Sequence, residues 1–213
     1  MAIELDHFLI LTEPGAPQAE QVSAVGLVEG TRNDHPGQGT ANRRFCFANA
    51  FLELLYIRDA DEAANGPGSR MRLVERASGN GASPFGIIVR RSNASNEDPF
   101  AGWRYYPDYF GADQYFHVGE NSEVLEEPLC VCLPAMPPAS TWQPLSPEPF
   151  SEVTELRVSV PAERPSAVLE EVARCERITL IVGEPQRMEI VFNEGEQGQS
   201  RDLRPDLPLG ICW

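Results

Sequence analysis

The sequence predicts an α+β protein in which two β-α-β-β-β modules pair their curved sheets into a cup, with an irregular middle segment inserted between them. Three observations support this. An alternating strand, a short helix and a hairpin follow one another within residues 1–58, a similar element order returns over residues 151–213, and an irregular, proline-rich stretch lies between. Each curved sheet alone would leave an apolar face bare, and pairing two of them covers it. The expected organisation is therefore a first module over 1–58, a middle region over 59–150 and a second module over 151–213, forming one compact unit.

Ile3 to Thr12 alternates as a strand, with Ile3, Leu5, His7, Leu9 and Leu11 on one side. Pro14 to Pro17 breaks that pattern and opens a helix, Val22 and Val25 follow at helical spacing, and Gly26 stops it. Leu27 to Thr31 reads as a short strand, and Arg43–Ala48 with Phe51–Ile57 as a hairpin about Asn49 and Ala50. Asp59 to Arg76 contains a helix-permissive piece. Ser83–Arg91, Tyr115–Gly119 and Leu129–Leu133 are middle strands, around an irregular stretch carrying Trp103, Tyr105, Tyr106, Tyr109 and Phe110. Pro134 to Pro149 holds six prolines and reads as a semi-rigid connector. Beyond it, Val153–Val160 is a strand, Pro165–Cys175 a helix with Val168, Leu169, Val172 and Ala173 as its apolar face, and Ile178–Val182, Met188–Phe192 and Leu207–Trp213 are strands.

Composition narrows the function. A net charge of −15 argues against nucleic-acid and anionic-membrane partners, which need a basic footprint. All 17 basic residues are arginine, so Schiff-base and lysine general-base mechanisms have no side chain to carry them. The five cysteines, Cys46, Cys130, Cys132, Cys175 and Cys212, lack any CxxC pair and read as small buried apolar residues. No apolar run approaches the ~20 residues that span a bilayer, and no signal segment opens the chain. The expectation is a cytoplasmic protein.

The run from His35 to Arg44 (HPGQGTANRR), the strand from Phe51 to Ile57 with its single carboxylate at Glu53, and Leu5 to Phe8 near the start carry a family resemblance. Together they resemble the first βαβββ module of the vicinal oxygen chelate superfamily, in its glyoxalase-like branch. The resemblance implies a cup that holds a small organic molecule, with one divalent metal ion as the candidate cofactor. It puts His7 and Glu53 at ligand positions of the first module, and Glu155 at the matching strand position of the second. The last strand, Leu207 to Trp213, offers no carboxylate. A homodimer is the assembly such modules suggest.

Residue chemistry supplies further candidates. His7 and Glu53 fall on apolar strand faces, where a carboxylate needs a cation, a histidine or an arginine beside it. In the loop, Gly37 and Gly39 can expose successive N–H groups to an anion, Thr40 and Asn42 add short polar side chains, and Arg43 or Arg44 a planar donor. Strand alternation lets only one of the two arginines face inward, and the loop also reads as a tight structural turn. His35 and His117 are the candidates for proton transfer. Trp103 and the aromatics after it either line a pocket or pack the scaffold. Three functions compete: a metal-dependent lyase, isomerase or ring-cleaving dioxygenase, a metal-free binder of an anionic or carbonyl-bearing molecule, and an interaction module whose cup is filled by Trp103 or Trp213. The incomplete ligand set favours the binder.

Overall fold

The computed structural model describes residues 3–91, 97–110, 114–133 and 144–213. The strands are β1 (Ile3–Thr12), β2 (Asn33–His35), β3 (Thr40–Cys46), β4 (Phe51–Ile57), β5 (Phe85–Arg91), β6 (Gly102–Tyr105), β7 (Phe116–Gly119) and β8 (Leu129–Leu133). They form one curved sheet in the order β2-β3-β4-β1-β5-β8-β7-β6. A second sheet holds β9 (Val153–Val160), β10 (Ile178–Val182), β11 (Arg187–Phe192), β12 (Ser200–Asp202) and β13 (Leu209–Cys212), in the order β10-β9-β11-β13-β12. Short helices are α1 (Ala19–Val25), α2 (Ala60–Asn65), α3 (Leu73–Ala77) and α4 (Ala167–Val172).

The strand order corrects one expectation. The partner of the first module within the cup is 85–133, not 151–213. β4 lies parallel to β1, β8 lies parallel to β5, and β1 meets β5 antiparallel at the centre, so the two halves repeat one arrangement. The sheet of 153–212 instead covers the back. Leu5, Phe8, Ile10, Leu52, Leu54, Ile87, Val89, Cys130 and Cys132 share one buried cluster with Leu156, Val158, Met188, Ile190 and Leu209. Leu9, Leu11, Leu55, Ile88, Val118, Leu129, Val131 and Leu133 form a separate cluster on the front. A sheet apolar on both faces needs a cover on each, and a second sheet packed face to face supplies one. β8, buried throughout as Leu-Cys-Val-Cys-Leu, carries that double requirement in its sequence.

Local departures follow from turn chemistry. The second strand is Asn33–His35 rather than 27–31, where Glu29 makes only an isolated bridge to Phe45. Gly37 and Gly39, at φ 82° and 70°, close the turn that lets β2 pair with β3. Residues 134–143 of the proline-rich connector lie outside the described residues. Among the described residues no helix is long and apolar enough to cross a membrane.

Candidate functional site

The site grows from an irregularity in β1. Leu5 pairs with Val89 and His7 with Ile88, so Asp6 is the extra residue of a β-bulge. A bulge breaks strict alternation. Leu5 therefore drops into the back core, contrary to the shared face expected from the sequence, while Asp6 and His7 both line the front cavity. Asp6 Oδ1 lies 2.7 Å from His7 Nδ1, and the His7 ring stacks on Phe51 at 4.1 Å and 10°. The other Asp6 oxygen is 3.6 Å from Arg90 Nη1.

β3 and β4 add the remaining polar groups. Glu53 is only 7% exposed; His7 Nε2 stands 3.9 Å from one of its oxygens and His35 Nε2 3.9 Å from the other. Asn42 Nδ2 donates a short hydrogen bond to the oxygen facing His35, while Asn42 Oδ1 accepts from Asn33 N. His35 Nδ1 is 3.0 Å from Thr40 Oγ1, and its ring leans on Tyr109 at 5.3 Å. Tyr109 Oη in turn donates to Gln38 Oε1 at 2.9 Å.

Burial is the largest influence on His35 and pushes its pKa below 6.5, against an opposing pull from Glu53. The unfolded chain then binds the proton more readily than the fold, so stability falls as pH drops below 6.5 toward the lowered folded value, and levels off beneath it. We expect His35→Gln to lose this part of the acid destabilisation. Thermal unfolding followed from about pH 7 to about pH 5 would register it as a shallower decline than in the wild type.

The two loop arginines separate by alternation. Arg43 turns back: Nη2 pairs with Glu29 at 2.5 Å and Glu20 at 2.8 Å, and Nη1 reaches Ala16 O at 3.2 Å. Its hydrogen bond to Glu29 raises the Arg43 pKa and lowers that of Glu29. Arg44 turns forward and lines the cavity. With the Asn33 amide oriented to donate to Arg32 O, its oxygen accepts from Arg44 Nη1 at 3.0 Å.

The cavity measures about 440 Å³. Its polar side comes from the first module, through His7, His35, Gln38, Arg44 and Glu53. The opposite side is apolar: Ile88, Phe116, Leu129, Val131 and Leu133, with Tyr109 and Phe110 beside them.

Several sequence candidates stand elsewhere. Glu155 belongs to the back sheet, where it holds Arg157 at 2.8 Å and accepts from Thr179 at 2.5 Å. His117 is buried on β7, 2.8 Å from Phe100 O and 3.5 Å from Asp98, outside the cavity lining. Trp103 stacks with the Arg70 guanidinium at 4.4 Å, also outside it. Trp213 packs edge-on to Phe150, so neither tryptophan fills the cup. Gly37 N donates to Glu62 at 2.7 Å instead of facing a ligand. Thr40 and Asn42 are buried and act on the site through His35 and Glu53. The groups that sequence reasoning missed are Asp6, concealed by the bulge, and the apolar wall of β5 and β8.

The metal expected from the resemblance does not fit these residues. Across β1–β5 the residue opposite His7 is Ile88, and β8 presents Leu129, Val131 and Leu133, so among the described residues β5 and β8 offer the cavity no ligand atom. Among the described residues no three His, Cys, Asp or Glu side chains gather to hold an ion.

A curved sheet of two repeated strand modules, with a cavity on its concave front, is the architecture of the vicinal oxygen chelate proteins. Residues 5–99 match the family model of the glyoxalase-like domain, a stretch that holds β1 to β5 and the polar wall of the cavity. No curated protein matches it in sequence. Among solved structures, a hypothetical protein from Staphylococcus aureus aligns over 98% of both chains at TM-score 0.56 and 8% identity, which extends the shared fold to the back sheet. A Streptomyces coelicolor methylmalonyl-CoA epimerase aligns over 68% of this chain and 100% of its own at TM-score 0.44 and 11% identity. The Mycobacterium tuberculosis methylmalonyl-CoA epimerase aligns over 63% and 89%, at TM-score 0.39 and 12% identity.

Proposed function

We propose that the cup binds a small amphipathic organic molecule through an acid or carbonyl oxygen at Arg44 and its polar neighbours. The observation that carries this is the division of the cavity wall: its charged, imidazole and amide groups come from β1 to β4 and the turn between β2 and β3, whereas β5 and β8 add only apolar side chains. An apolar cavity with a few convergent polar groups is the form small-molecule sites take. The reading needs no metal. The five free thiols support action in a reducing compartment, the cytoplasm.

Hydrocinnamate, an aryl acid, tests it by calorimetry. We expect saturable binding at one site, weakened by about tenfold in Phe116→Ala, because a half-buried phenylalanine that a ligand covers further contributes part of the roughly 1.5–3 kcal/mol of full burial. Absence of saturable binding of this acid and of decanoate would overturn the proposal.

A second reading, proton transfer on the bound molecule, rests on Asp6. An ionised Asp6 carboxylate 2.7 Å from His7 Nδ1 accepts from that nitrogen and turns Nε2 toward Glu53 and the cavity, where it can exchange a proton. Hydrogen exchange of phenylpyruvate in deuterated water, faster with wild type than with His7→Gln, is its signature.

A further inference from the structure

We infer that the ligand carries an acid group next to a hydrogen-bond donor, ammonium or hydroxyl, and that these two groups bridge Arg44 and Glu53. The inference rests on the cup reading and adds the chemistry of the polar end. Arg44 and Glu53 are register partners across β3 and β4, and both line the cavity. Opposite charges so placed ordinarily pair across strands. Here no ion pair links them: among the described residues Arg44 has no carboxylate within ion-pair reach, whereas its neighbour Arg43 has two. Arg44 Nε is buried without a hydrogen bond, and its guanidinium carbon stands 6.0 Å from the centre of the Phe51 ring.

Glu53 is equally short of compensation. Its neighbours are the neutral Asn42 amide and two imidazoles at 3.9 Å. Burial biases His35 against carrying charge, and His7 has its nearer carboxylate in Asp6 at 2.7 Å. A carboxylate 7% exposed with no arginine in reach and one neutral amide donor calls for a further donor. Asp34 at the rim is taken by Arg58 at 3.1 Å and does not compete for the ligand's donor group. The cation and anion that would otherwise neutralise each other are thus both left available on one wall. A molecule presenting carboxylate to Arg44 and N–H or O–H to Glu53 satisfies both, and directs its apolar body onto Ile88, Leu129 and Val131.

Three matched probes test the bridge by calorimetry on the full chain: hydrocinnamate, with the acid alone, phenyllactate, with a hydroxyl beside it, and phenylalanine, with an ammonium. At least one of the last two should bind about tenfold or more tighter than hydrocinnamate, the scale of one charge-assisted hydrogen bond. Glu53→Gln should abolish an ammonium preference over hydrocinnamate and reduce a hydroxyl preference. Arg44→Met should weaken all three. Equal affinities in the wild type, or a preference that survives Glu53→Gln undiminished, overturns the bridge and leaves the cup reading standing. Failure of all three to bind removes both. Should Glu53→Gln not fold, the wild-type panel and Arg44→Met still discriminate, since Arg44→Met binding all three as tightly as the wild type also overturns the bridge.

Discussion

Replacing Arg76 by methionine should lower stability by about 3–5 kcal/mol, because several buried backbone carbonyls lose their donor at about 1–3 kcal/mol each. At roughly 2–4 °C per kcal/mol for a chain of this size, the melting temperature should fall by about 6–20 °C. Arg76 is 1% exposed, on α3, with no carboxylate in ion-pair reach among the described residues. Its guanidinium instead faces the carbonyls of one loop. Nη1 donates to Glu127 O at 2.6 Å and to Leu125 O at 3.4 Å, and Nη2 donates to Val124 O and Ser122 O at 3.3 Å. Burial pushes its pKa down to about 10, which still leaves it charged at neutral pH. The loop it gathers leads directly into β8, the strand that supplies Leu129, Val131 and Leu133 to the cup. Differential scanning calorimetry would measure the loss, and a fall of less than about 1 kcal/mol would show that water or a backbone shift replaces the guanidinium.

Gly39→Ala should cost about 2–4 kcal/mol and impair ligand binding as well, because it combines backbone strain with overpacking. Gly39 adopts φ 70°, and a Cβ there would meet Ala63 N at 2.3 Å and Asp59 O at 2.5 Å. The Gly39 carbonyl also accepts from Arg58 N at 2.9 Å and Asp59 N at 3.0 Å, so α2 is docked on this turn. Moving either displaces the hairpin that carries His35 and Arg44. Gly37→Ala provides the control. Its φ of 82° imposes a similar strain, but its nearest new contact is Asp108 Oδ2 at 3.5 Å. We expect about 1 kcal/mol there, and urea denaturation of the two variants isolates the cost of the backbone clash.

Many of the strands were legible in the chain. β1, β4, β9 and β10 lie where alternation and β-branched runs put them. His7 and Glu53 come together because period two puts each on an identifiable strand face, and strand pairing does the rest. Asp6 was invisible because a bulge has no local sequence signature here, and one inserted residue changes which neighbours share a face. Glu155 was misplaced by a different route. Its strand was recognised, but a repeated element order does not state which sheet a strand joins.

By itself the sequence determined the elements, the polar hairpin from His35 to Arg44 and the absence of lysine chemistry, since these depend on local pattern and composition. The tertiary structure alone decided that 85–133 completes the cup and 153–212 backs it, and that Arg44 rather than Arg43 faces forward. It also decided that Ile88 and β8 close the site with apolar walls. Those outcomes depend on which buried faces meet, and long-range pairing is set by mutual coverage of apolar surface, a property of the whole chain rather than of any segment.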